Sequence, residues 1–212
     1  MTTSAKQRQK QIEKRAKKRK LAKQKSGGGE ARLNRANTYA HLPMHECLVP
    51  STLFESGIGS LLASRKSPTG QYAAAVFLVD VYCLGIKNAF FRMFDEDEYE
   101  GTLKPSLVAS HGEGIYMNID PSCFKKLILG AADYAGELDF SPHKDYQRAI
   151  PLLDSIDPTA CAERFEYGYE GKPFYIRGPS ESLSQARRIV EQLDRRCGAG
   201  NFDMLITTGP ID

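Results

Sequence analysis

The sequence predicts an α+β fold: an antiparallel sheet with about three amphipathic helices packed on it, preceded by a basic N-terminal arm, flexible or helical. Three observations carry this. Strand-like runs cluster between Gly57 and Met93, helical spacing dominates from Asp120 to Asp154, and a hairpin, a helix and a last strand follow as far as Thr207. Strands in one block and helices in the next favour α+β over alternating βαβ units. With 212 residues, 41% of them apolar, one core-forming domain and an extension are expected. The division falls into an arm with glycine linker over 1–29 and a single globular domain over 30–212.

The arm is "KQRQKQIEKRAKKRKLAKQK", residues 6–25, with eleven Lys or Arg and one acid, Glu13. Lacking Gly and Pro, it permits helix. Yet Lys17, Lys18, Arg19 and Lys20 repel one another, and Ile12, Ala16, Leu21 and Ala22 make no wide apolar stripe to offset the ordering entropy. Alone in water it should be a frayed helix or a disordered chain. Ser26-Gly27-Gly28-Gly29 supplies a flexible joint, and the folded body is expected to begin between Glu30 and Leu42.

From Gly57 the chain reads as sheet. A segment through Leu61 and Leu62 reaches Ser64, the turn signal Ser67-Pro68-Thr69-Gly70 follows, and Tyr72 to Cys83 contains the apolar run Val76, Phe77, Leu78, Val79 and Val81. So continuous a run fits a central strand covered on both faces. Gly85 interrupts it, and Ala89 to Met93 resumes, completing a three-stranded antiparallel unit. The acidic run Asp95 to Glu100 lacks the spaced oxygen ligands and the glycine of a calcium loop, and reads as a solvated turn.

At Asp120-Pro121 the period changes. Asp can cap a helix, Pro suits its first position, and Phe124, Leu127, Ile128, Ala131, Ala135 and Leu138 recur at helical spacing. A second helix is expected from Ser141-Pro142 to about Asp154, burying Tyr146, Ala149 or Ile150, and Leu153. Phe165, Tyr167 and Tyr169 alternate with polar residues before Glu170-Gly171-Lys172 and Phe174 to Ile176, the pattern of a hairpin. Pro179-Ser180 to Cys197 is a third helix with a capping box at Ser182 and Gln185. Phe202 to Thr207 closes the fold as a strand.

The net charge of +3 conceals a division. Residues 1–40 carry thirteen basic and two acidic side chains, net +11, which leaves 41–212 at −8. A basic arm on an acidic body points to a polyanionic partner. Lys10, Lys14, Arg15, Lys17, Lys18, Arg19, Lys20, Lys23 and Lys25 are the expected contacts to a phosphate backbone. With no aromatic residue in the arm, binding there would be sequence-neutral. Exposed aromatics in "YGYEGKPFYIRGP" could add base stacking, although a core face with the remainder at the surface is the commoner reason for such residues.

No run of about 18 apolar residues exists to span a bilayer, and Ile12 and Leu21 give the arm too little apolar face to lie on one. The five cysteines are odd in number and form no CxxC pair, which leaves at least one unpaired and favours a reducing compartment. The cytoplasm is the expected location, or the nucleus, where Lys17-Lys18-Arg19-Lys20 would serve as an import signal. Neither "HGEG" nor "GIGS" has the form of a nucleotide loop, and His41, His45 and Cys47 lack a second ligand cluster. No cofactor and no metal site is expected.

The preferred expectation is an accessory protein that contacts nucleic acid, RNA or a ribonucleoprotein before DNA. Two alternatives stand beside it. A hydrolase-like enzyme would need His143, His111 or Cys83 to converge with Asp80 or Asp145, with His143 held neutral near a helix start. A protein-interaction or regulatory module would instead present an exposed apolar patch beside a solubilising or targeting tail.

Overall fold

In the computed structural model, residues 36–110 and 115–206 are described. The arm and linker, His111 and the chain after Ile206 lie outside them.

Five strands form the main sheet: β1 (Met44–Pro50), β2 (Ile58–Lys66), β3 (Tyr72–Asp80), β4 (Gly85–Phe94) and β5 (Tyr116–Asn118). Their order is β4-β3-β2-β1-β5, and every neighbouring pair is antiparallel. The expected three-stranded unit is the β2-β3-β4 meander, whose register pairs Leu61 with Phe77 and Val76 with Phe90. Strands β1 and β5, which polar side chains hide in the sequence, extend it.

Strand β3 is covered on both faces, and this accounts for its unbroken apolar run. On one face Leu61, Ala63, Ala75, Phe77, Val79 and Ile86 pack against Phe124, Leu127, Ile128 and Ala131. Those four side chains belong to α3 (Pro121–Glu137), which starts as expected, with Asp120 accepting from the Ser122 amide and Pro121 in the first turn. On the other face Leu62, Tyr72, Ala74 and Val76 meet Tyr99, Leu103 and Leu107.

These last three lie on a helix where the sequence predicts a solvated turn. Glu96–Glu98, a π-helical turn Tyr99–Leu103, and Lys104–Ala109 run on as one helix, α2. Asp95 accepts from the Glu98 amide, and the acids that follow sit at a helix N-terminus, where the dipole favours them. Preceding it in the chain is the short α1 (Leu53–Ser56).

After α3 the second helix begins later than expected. His143 donates its backbone N–H to the Ile86 carbonyl of β4 at 2.8 Å, which holds the Ser-Pro start away from helix geometry. Helix α4 therefore spans Tyr146–Ala149 and tightens into a 3₁₀ turn, Ile150–Leu153, burying Tyr146, Ala149, Leu152 and Leu153.

The predicted hairpin over 165–176 is not formed, beyond a single bridge between Tyr169 and Lys172. Its aromatic alternation arises from packing of an extended segment across α3, where the Tyr167 hydroxyl donates to the Leu127 carbonyl and its ring stacks near Tyr134. Strand β6 (Phe174–Ile176) pairs in parallel with β7 (Asp203–Leu205), and α5 (Leu183–Cys197) connects them with the expected capping box. A third apolar cluster of Cys83, Leu84, Leu138, Tyr175, Ala186 and Leu193 joins this unit to the sheet.

Two features were not legible in the sequence. Cys123 and Cys161 form a disulfide, so the inference from cysteine spacing to a reducing compartment loses its basis, while Cys47, Cys83 and Cys197 are free. Arg65 is 3% exposed and has no carboxylate partner among the described residues. Its guanidinium instead donates to the Leu42 and Leu152 carbonyls and to Ser155 Oγ, tying the entry to β1 onto the 3₁₀ turn. Among the described residues, no helix is long and apolar enough to cross a membrane.

Candidate functional site

Asp80 closes β3, and its Oδ1 accepts the backbone N–H groups of Tyr82, Cys83 and Leu84 at 3.0, 2.9 and 3.3 Å. The carboxylate thus caps the turn into β4. Burial raises its pKa, with the three N–H donors and Lys87 opposing that rise. Cys83 is completely buried in the third cluster, and burial pushes its thiol well above the ordinary range. His143 and Asp145 are near each other: the Asp145 amide donates to His143 Nδ1 at 3.3 Å, and the side chains approach to 3.8 Å. The Asp145 carboxylate is held by Arg148 at 2.6 Å. Among the described residues, no hydrogen bond or ion pair joins His143 or Asp145 to Asp80 or Cys83. The structure brings together two local pairs, each with a structural role, and His111 lies outside the described residues.

The expected nucleic-acid contacts, Lys10 to Lys25, also lie outside the described residues. Two surface features of the body were missed from sequence.

The first is a cleft of about 230 Å³ lined by Glu46, Leu48, Lys104, Leu107, Val108 and Tyr116. A bulge in β1 sets Met44 opposite Arg65 and Glu46 opposite Ser64. The extra residue, His45, therefore shares the α2 side of the sheet with Glu46, its ring 5.0 Å from Tyr72 and 5.9 Å from Tyr99. Cys47 packs into the core of the opposite face, its thiol pushed up to about 12 by burial. Tyr99 is fully buried, stacked on Tyr72 at 4.2 Å; its hydroxyl lies 2.6 Å from Glu46 Oε1 and 2.7 Å from Ser64 Oγ. His45, Glu46 and Glu100 bring their ligand atoms within 4.8 Å of one another. That trio already holds a cation, because Lys104 Nζ lies 3.2 Å from Glu46 and 3.1 Å from Glu100. The ammonium occupies the ground a metal would need, and the arrangement is that of an ion-paired helix anchor.

The second feature is an open groove of about 370 Å³ lined by Phe54, Arg164, Phe165, Glu166, Gly168, Tyr169 and Glu170. Phe54 is 39% and Tyr169 43% exposed, while Phe165 is half-buried against the core. Phe54 and Phe165 lie parallel, with centroids 6.0 Å apart. Beneath them stands Tyr82, whose hydroxyl lies 3.0 and 2.8 Å from the Phe54 and Glu55 carbonyls, while its ring meets Tyr169 and Phe174 at 5.4 and 5.8 Å. Gly57, at φ +75°, lets that ring close on the backbone; a Cβ there would sit 2.1 Å from it. Gly168, at φ +87°, donates its N–H to the Val81 carbonyl and pins the far wall. Of the aromatic stretch flagged in the sequence, Tyr175 is core and Tyr167 is bonded to α3, so Tyr169 alone of its tyrosines is exposed. Phe54 carries no sequence signal and Phe165 only that of a hairpin strand, since the fold alone pairs them.

Comparison with protein-family models, curated proteins and solved structures returned no match.

Proposed function

We propose that the protein is an accessory factor that contacts nucleic acid, RNA or a ribonucleoprotein in preference to DNA, through its basic arm. The observation that carries this is the charge division: net +11 over residues 1–40 against −8 over 41–212. A cation-rich segment joined through Gly27-Gly28-Gly29 can follow a phosphate backbone independently of the body, gaining affinity from released counterions. The acidic body repels the same polyanion, so the contact belongs to the arm. The hydrolase reading receives no support from geometry, because Asp80 and Cys83 serve a turn and the core while His143 and Asp145 pair locally.

The test is binding of a labelled single-stranded RNA to the full chain across a salt series. Six neutralised phosphates give a slope of about −4 in log affinity against log salt. Replacing Lys17, Lys18, Arg19 and Lys20 together with Gln is expected to flatten that slope by about 3. A slope unchanged by the substitution removes the main support for the reading. So does recovery of the same cellular partners with and without nuclease treatment.

A further inference from the structure

We infer that the aromatic groove is a receptor for a cationic side chain, and that its occupant is the chain's own basic arm, residues 6–25. This inference stands apart from the nucleic-acid reading, since it concerns where the arm rests when no polyanion is present.

The chemistry of the lining selects the ligand. Phe54 and Tyr169 offer exposed rings, the half-buried Phe165 lies parallel to Phe54, and Glu166 and Glu170 stand beside them. Neither carboxylate has a hydrogen bond or ion pair from its side chain among the described residues. Among the described residues Arg164 is the one cation of the lining, against Glu166 and Glu170, so these side chains leave the groove net negative. Phosphate is repelled by such a surface, and a nucleobase on a sugar-phosphate chain pays that repulsion with every stack. An ammonium or guanidinium gains both from the ring quadrupoles and from the carboxylates, as in aromatic cages for cationic ligands.

The arm is a fitting occupant on charge, reach and local concentration. It presents eleven Lys or Arg against one acid. Ten residues, 26–35, separate Lys25 from Ala36, where the described body begins. The body starts beside Arg65, at the end of β2 remote from Gly57 and the groove, about 26 Å away along the strand; ten extended residues span at most about 35 Å, so Lys25 and the arm residues before it can arrive. A cation on one or two exposed rings binds weakly as a free ligand, but tethering makes the contact intramolecular, and the cations further along the arm, whose longer linkers better match the span, gain most from it. No particular Lys or Arg is required. Neighbouring cations can exchange in the groove, which suits a segment of repeated charge.

The acidic start of α2, Asp95 to Glu98, is the competing destination within the body. It has charge without rings, and Glu96 and Glu98 are already paired with Lys66 and Arg92. The groove is the better receptor on both counts.

Zero-length carbodiimide cross-linking of the full chain at low salt, read by peptide mass spectrometry, tests this. Arm lysines are expected to link to Glu166 or Glu170, and 0.5 M salt should abolish the links. The variant Phe54→Ala with Tyr169→Ala is expected to lower their yield about fivefold, leaving any links to Asp95–Glu98 unchanged. Independently of cross-linking, and of any damage from ring removal, Glu166→Gln with Glu170→Gln should speed tryptic cleavage within residues 14–20 by up to about twofold, the limit for a contact near half occupancy. Links spread evenly over all exposed carboxylates, or concentrated on Asp95–Glu98, overturn the inference, as does arm cleavage equally fast in every variant. Adding single-stranded RNA separates the two proposals. RNA that binds by fluorescence anisotropy and lowers the yield of the groove links supports both, whereas links that persist with no RNA bound support the groove and count against the nucleic-acid reading.

Discussion

Removing the Cys123–Cys161 disulfide should cost the protein a large part of its stability without dismantling the native contacts around it. The two cysteines are 38 residues apart in sequence. In the chain-entropy account, closing a loop of that size removes about 13 cal/mol/K from the unfolded ensemble, or about 4 kcal/mol at 25 °C. In the folded state the same junction has other fastenings. Lys126 donates to the Cys161 and Glu163 carbonyls at 2.9 and 2.7 Å, and Lys125 to the Ile156 carbonyl at 2.8 Å. Cys123→Ser with Cys161→Ser should therefore leave near-native spectra while lowering the urea midpoint by about 2 M, taking a slope of about 2 kcal/mol/M. Reducing the wild type should reproduce the shift, and reductant should leave the double variant unchanged. Alkylation of the unfolded, unreduced protein should label three cysteines. Five labelled cysteines, or a midpoint that moves by less than about 0.5 M, would refute the reasoning.

Substitutions at three further positions address other parts of the structure. Gly57→Ala forces a Cβ to 2.1 Å from the Tyr82 ring at φ +75°; combining left-handed strain with overpacking, about 3 kcal/mol should be lost in urea unfolding, with tyrosine fluorescence altered in the native state. Asp80→Ala strands three buried N–H groups and should cost about 3 kcal/mol, whereas Asp80→Asn keeps an acceptor and should lie within about 1 kcal/mol of wild type at neutral pH. Because burial raises the Asp80 pKa, the native state binds that proton more tightly than the unfolded chain. Wild-type stability should therefore improve relative to Asp80→Asn as pH falls through the raised pKa, approaching its limit near the ordinary value of 3.8; divergence in the opposite sense would contradict the assignment. Arg65→Met leaves the Leu42 and Leu152 carbonyls and Ser155 Oγ without their donor, and a loss of about 3 kcal/mol by thermal or urea unfolding is expected.

The parts of the fold that could be read in advance are those whose signal is local. Strand β3 declares itself because both its faces are buried, so Ala73 to Phe77 need no polar alternation. Helices α3 and α5 announce their starts through Asp120-Pro121 and the Ser182–Gln185 box. Helix α2 escaped because its first turn is all acid and its apolar residues, Tyr99, Leu103 and Leu107, follow at intervals of four across a π turn. The hairpin was misread for the opposite reason. Alternating aromatics satisfy a strand pattern, but at 165–169 they are ordered by α3 and the groove, with no partner strand beyond one bridge. The disulfide and the Arg65 anchor join residues far apart in the chain, and no spacing rule encodes such contacts.

The candidate surface follows the same division and leads to a quantitative consequence. Tyr169 lay in a stretch flagged for its rings and cations, yet Glu166 and Glu170 reverse the charge expected of a base-stacking platform. Both proposals therefore compete for one set of cations: the groove can hold one or two, whereas a polyanion can engage most of the eleven. Docking one end of the arm leaves the rest available, so the groove should tune RNA affinity without abolishing it. A tethered competitor reduces apparent affinity only by the fraction of arm it occupies. For a contact near half occupancy, Phe54→Ala with Tyr169→Ala should tighten RNA binding about twofold and leave the salt slope nearly unchanged. Weakened binding would instead place those rings among the RNA contacts, and a collapsed slope would mean that the body supplies phosphate contacts itself; fluorescence anisotropy at two salt concentrations distinguishes these outcomes.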